Sequence, residues 1–138
     1  MTGANIPVPS IENTQVEVIP ESKKPIIERA TTTEAYVRNY FSDIPVLAEV
    51  ARCESTFRQT DKSGNIIRGK ANRFDVGVMQ INEHYHLERA KKIGLDIYTL
   101  EGNMAYAREL YEDSGTKPWM ASSPCWSGSG QEALAENK

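Results

Sequence analysis

The sequence predicts an α+β fold that is mostly α, with one small β-hairpin set among short helices. Three observations predict it. Apolar residues recur at helical spacing in several windows, most clearly Leu100, Met104, Ala107 and Tyr111. One turn-forming cluster, Asp61-Lys62-Ser63-Gly64-Asn65, precedes the apolar pair Ile66-Ile67. The composition is that of a soluble globular protein, 39% hydrophobic and 25% charged over 138 residues, which suits one domain with flanking tails.

The elements follow in chain order. Residues 1–30 hold Pro7, Pro9, Pro20 and Pro25 and no aromatic side chain, so they read as a flexible linker or leader. Thr31 followed by Glu34 fits a capping box, and Val37, Tyr40 and Phe41 then give an amphipathic helix. Asp43 can cap a second helix, with Pro45 in its first turn and Glu54 near its end. The hairpin is expected around 61–67. Asp75 can cap a short helix through Val78, Met79 and Ile81, and a further helix over 87–93 stops at Gly94. The longest helix follows Thr99 and ends before Gly115. The expected domain covers 31–126, and the Gly/Ser-rich and polar stretch 127–138 reads as a flexible tail. No internal repeat is visible.

Charge and hydropathy exclude several classes. A net charge of −3 gives no electrostatic case for nucleic acid or an anionic membrane surface. No apolar run reaches the length of a membrane span, so no integral membrane segment is expected. Residues 1–10 lack the basic region and apolar core of a secretory signal. There is no Walker loop, no dinucleotide fingerprint and no CxxC pair, and nothing calls for a cofactor. His84 and His86, near Glu83 and Glu88, do not share a helix face and match no zinc spacing, so no metal site is expected. Arg68, Lys70 and Arg73 form a small basic patch, either solvated surface or a partner for peptide carboxylates.

The residue that carries chemistry is Glu54. Leu47, Val50 and Ala51 share one helix face, and Glu54 lies one turn further along it. Burial disfavours the charged form of a carboxyl and raises its pKa. A helix C-terminus, with its exposed carbonyls, acts in the same direction. Both effects prepare a carboxylic acid that keeps its proton near neutral pH, as a general acid must.

Glu54-Ser55, the hairpin, Asp75-Val76-Gly77-Val78-Met79-Gln80-Ile81-Asn82 and the helix carrying Asn103 come in an order that resembles the lysozyme-like superfamily. That superfamily includes soluble lytic transglycosylases and C-type lysozymes. The resemblance implies a lysozyme-like two-lobed domain with a sugar-binding cleft. It also implies cleavage of the β-1,4 bond from N-acetylmuramic acid to N-acetylglucosamine in peptidoglycan, whose glycan strands would be the partner. Glu54 would protonate the leaving oxygen as an oxocarbenium-like centre develops. In a lytic transglycosylase the same carboxyl then deprotonates the muramic acid 6-hydroxyl, giving a 1,6-anhydro end. In a hydrolytic muramidase a second carboxylate takes part and water completes the reaction.

Asp75 leaves both routes open. It stands where a C-type lysozyme has its second carboxylate, whereas Gly77-Val78-Met79-Gln80 is closer to the transglycosylase pattern Gly-Leu-Met-Gln. The plain alternative is a helix cap. The resemblance further implies a cleft-lining role for Gln80 and places Asn82 and Asn103 where they either bind substrate or bond backbone, with Ser55 bracing the Glu54 loop or lining the site. Trp119 or Trp126 either stacks on a sugar face as a substrate-binding residue or, as is commoner for a lone Trp, packs in the core. Met79 is expected in the core. The chain departs from the transglycosylase pattern near its end, where Pro118-Trp119-Met120-Ala121-Ser122-Ser123-Pro124-Cys125-Trp126 replaces an Ala-Tyr-Asn-x-Gly stretch. Neither Tyr106 nor Tyr111 takes the missing tyrosine's role by motif. Two cysteines permit one pairing, Cys53–Cys125, or else two buried thiols. The implied activity belongs outside the cytoplasm, in periplasm, cell wall or medium, and such an oxidising compartment favours the disulfide. A non-catalytic peptidoglycan-binding or assembly protein is the reading from a different class.

Overall fold

The computed structural model describes residues 26–128, with side chains from residue 33 onward. The expected linker up to residue 25 and the tail from residue 129 lie outside the described residues. Within them the chain forms α1 (Ile26–Tyr40), α2 (Pro45–Ser55), β1 (Asp75–Val76), β2 (Ile81–Asn82), α3 (Glu83–Lys92) and α4 (Leu100–Ser114). A 3-10 helix (Lys117–Ser122) and the single turn α5 (Ser123–Trp126) complete it. The α+β, mostly α class holds.

The N-terminal helix is longer than the sequence predicts. It already runs at Ile26, so Thr31 lies inside it and does not begin it. Threonine costs only a few tenths of a kcal/mol against the best helix formers, about 0.7 at most. That does not break a helix whose Val37 is fully buried, with Phe41 fully buried just past its end.

Asp43 is a second correction. The cap of α2 is Ile44, without a side-chain bond, and Pro45 opens the helix. Both Asp43 oxygens instead meet the Arg108 guanidinium, at 2.8 and 3.2 Å. Two charge-assisted bonds to a guanidinium outcompete a single cap bond, and the pair ties the α1–α2 corner to α4. From there α2 buries Leu47, Ala48, Val50 and Ala51 against the core.

The β-structure sits elsewhere than expected. Asp61 Oδ1 does accept the Ser63 and Asn65 N–H groups, but the turn closes on a single bridge, Thr60 with Ile66. The antiparallel ladder joins β1 to β2, pairing Asp75 with Asn82 and Val76 with Ile81. Asp75 therefore caps no helix, and no helix runs through Val78, Met79 and Ile81. The reason lies in other elements. The Val78 and Met79 N–H groups are each taken at 2.8 Å by a side-chain oxygen, from Gln59 and Asn103, so neither is free for a helical bond.

The later helices match their signals more closely. Asn82 Oδ1 caps α3 through the Tyr85 N–H, which starts that helix at Glu83, a turn before expectation. Thr99 caps α4 through the Gly102 N–H, and Gly115 ends it, as its sequence predicts. The expected Cys53–Cys125 disulfide is present, spans 72 residues and fastens α5 to α2. No helix among the described residues is long and apolar enough to cross a membrane.

Candidate active site

Glu54 lies in the last turn of α2 and is partly buried. Burial pushes its carboxyl above the ordinary carboxylate range. The Ser122 hydroxyl opposes that rise, and the Asp75 charge adds to it. Ser122 Oγ donates to Glu54 Oε2 at 2.6 Å. Oε1 takes no protein hydrogen bond among the described residues, where no buried side-chain oxygen is left unpaired. Oε1 therefore keeps some accessible surface.

Behind this carboxyl the 76–80 turn is held by side chains from four other places in the chain. Ser55 Oγ donates to the Val78 carbonyl at 2.8 Å, and Gln59 Oε1 takes the Val78 N–H. Asn103 Oδ1 takes the Met79 N–H while its Nδ2 donates to the Val76 and Ile97 carbonyls at 3.0 and 2.8 Å. Trp119 Nε1 donates to the Met79 carbonyl at 2.8 Å. Gly77, at φ +80°, allows this close approach, since a Cβ there would meet Asn103 Nδ2 at 2.3 Å. Met79, fully buried as expected, anchors the turn in the core.

Backbone strain gathers at the same place. Thr56, Phe57 and Gln80 have φ of 52°, 62° and 52°, a left-handed region that costs a side chain about 1–3 kcal/mol. Two of them follow Glu54-Ser55 directly, and the third closes the turn. Such strain persists only where packing over-determines it.

At three positions the structure decides against a substrate contact and for the structural alternative. Asn103 is 0% exposed and spends both polar atoms on backbone. Ser55 is buried and bonds the Val78 and Ala51 carbonyls, so it braces the site and does not line it. Trp119 is buried with its indole N–H on Met79, and it offers no ring face to a ligand. In each case a buried polar group must find a partner, and the backbone of the turn supplies it.

The other candidates lie nearer the surface. Asn82, besides capping α3, donates through Nδ2 to Asp75 Oδ1 at 3.0 Å. Asp75 is half-buried at the start of β1, and its charge reaches Glu54. Gln80 is half-buried, with Nε2 on the Gly77 carbonyl at 3.0 Å. His86 Nδ1 pairs with Tyr106 Oη at 2.9 Å. His84 lies tilted against the Phe74 ring and meets the Tyr85 ring edge-on. In the basic patch, Arg68 Nη1 pairs with Glu83 at 2.6 Å. A hollow of about 590 Å³ lies there, lined by Asp61, Asn65, Ile66, Ile67, Arg68 and Arg73; Glu54 does not line it.

Sequence reasoning missed Ser122 and Gln59. Ser122 carried one usable signal. It precedes Cys125 by three residues, and Cys53 immediately precedes Glu54, so the disulfide itself brings that turn alongside the carboxyl. Gln59 had no signal beyond being polar. Comparison of the chain with models of known protein families, with curated proteins and with solved structures found no match.

Proposed function

We propose that this chain is a peptidoglycan-cleaving enzyme, a lytic transglycosylase acting on the N-acetylmuramic acid β-1,4-N-acetylglucosamine bond, with Glu54 as general acid and base. One observation carries the reading: Glu54 combines a raised pKa, an anchored oxygen and an oxygen that keeps some accessible surface. A carboxyl in that state can protonate a leaving glycosidic oxygen near neutral pH. Once ionised, it can take the proton of the muramic acid 6-hydroxyl as that oxygen attacks the anomeric carbon. The internal nucleophile is already held in place, so no second protein carboxylate is required.

The proposed fold is lysozyme-like and two-lobed, with the glycan in a cleft between the helical part and the β1–β2 segment. The order of α2, the 61–67 turn, the Asp75–Asn82 ladder and α4 supports it. Asp75 and Gln80, both half-buried, are its proposed cleft residues beside Glu54. The Cys53–Cys125 disulfide supports work in an oxidising compartment outside the cytoplasm.

A second reading is hydrolysis, with Asp75 as the second carboxylate. It is favoured by the Asp75 charge acting on Glu54. Mass spectrometry of digested glycan separates the two. Ends in 1,6-anhydromuramic acid support transglycosylation, and reducing ends heavier by one water indicate hydrolysis. Glu54→Gln is expected to keep glycan binding and lower cleavage by at least about 100-fold. Undiminished clearing of cell-wall suspensions by that variant would sink both enzymatic readings.

A further inference from the structure

Resting on the reading of Glu54 as acid and base, we infer that Ser122, held by Trp126, is a positioning residue that assigns the two Glu54 oxygens different tasks. Oε2 is anchored to the protein, and Oε1 carries the proton that is exchanged.

The bonds at Ser122 lead to this assignment. Its Oγ lies 2.6 Å from Glu54 Oε2 and 3.1 Å from the Trp119 carbonyl, but a hydroxyl has one hydrogen to give. The Trp126 indole N–H lies 3.1 Å from Ser122 Oγ and 3.2 Å from the same Trp119 carbonyl. The single indole hydrogen is shared between these two acceptors in a bifurcated bond, so that carbonyl already has a share in a donor. The shorter contact, with the length of a charge-assisted bond, takes the hydroxyl hydrogen. Donation from the indole into Oγ polarises the hydroxyl and strengthens its bond to Oε2.

Consequences for the proton follow directly. With Oε2 serving as acceptor, a proton reaching the carboxyl goes to Oε1, the oxygen that keeps some accessible surface. The Ser122 bond survives in both protonation states, so the carboxyl need not rotate between giving a proton and taking one. The anchor is itself fixed. Trp119 and Trp126 are buried, and Cys125 is covalently tied to Cys53, the residue before Glu54.

The charged surroundings leave this role to Ser122. α2 packs against α1, the 3-10 helix and α5. On α1, Arg38 pairs with Glu34 and with Glu49 of α2, and Glu49 also holds Arg52. Arg58, beyond α2, folds onto the Ser55 carbonyl and Thr56. The 3-10 helix carries Lys117, which is exposed, and in α5 the only titratable type, Cys125, is in the disulfide. Asp75, from β1, is the charged group that acts on Glu54.

Ser122→Ala and Ser122→Thr test the assignment, read by carboxyl-labelled NMR titration of Glu54 and by kcat and KM on isolated glycan. In Ser122→Ala the Glu54 midpoint is expected to rise, because a donor to the charged form is lost. The alkaline limb of the pH profile should move up with it. At neutral pH kcat should fall about tenfold with KM nearly unchanged. Ser122→Thr, which keeps the hydroxyl, should restore midpoint and rate. An unchanged midpoint in Ser122→Ala, or a loss confined to KM, overturns the inference. If the wild-type chain cleaves no glycan, the enzymatic reading falls, while the titration alone still decides whether Ser122 governs Glu54.

Discussion

Asn103 Oδ1 receives the Met79 backbone N–H at 2.8 Å, joining the first turn of α4 to the turn that backs Glu54. The same side chain donates to two carbonyls, so one buried amide satisfies three backbone groups at once.

Removing it should therefore cost more than an average hydrogen bond. Asn103→Ala leaves the Met79 N–H buried without a partner, and about 3 kcal/mol of stability should be lost. Asn103→Asp should be worse near neutral pH, since it sets a charge against two carbonyls in place of a donor. Urea unfolding of the two variants checks both the size and the order.

Glu54 should make the fold less stable as it ionises. Its folded pKa is raised, first by burial, so between the ordinary carboxylate pKa and the folded value the native state holds a proton that the unfolded chain has released. Stability is then fully present below the unfolded pKa and declines as pH rises through the folded one. Glu54→Gln removes that decline. Its stability should match wild type in acid and exceed it at neutral pH. Thermal melts across pH measure this, and parallel curves for the two proteins would contradict it.

Reducing the Cys53–Cys125 bond should cost about 2–4 kcal/mol, since it closes a long loop in the unfolded chain. It also loosens the segment that bears Ser122. The Glu54 midpoint should consequently rise under reduction, in the same direction as in Ser122→Ala. Denaturant melts and NMR titration, with and without reductant, test the two effects separately.

Legibility from sequence followed the range of the forces involved. Glu54 was readable because helical spacing alone puts it on the apolar face of α2. The ends of α4 were readable because Thr99 and Gly115 act within one turn of where they stand. Asp43 and Asp75 were misread as caps although their residue type permits it. Arg108, 65 residues away from Asp43, and Asn82 across the ladder offered them better partners. For Asn103, Ser55 and Trp119 the sequence left substrate contact and a structural role both open, because polar and aromatic residues near a motif look alike whether they face a ligand or a backbone.

Local chemistry along the chain determined the mostly helical class, the position of the acidic candidate and the only available cysteine pairing. Tertiary structure alone decided which of Glu54's oxygens is tied down and which buried amides hold the turn behind it. Propensity, capping and spacing act over a few residues and can be read in order. A hydrogen bond such as that from Ser122 to Glu54 joins residues 68 positions apart and exists only once packing has brought them together.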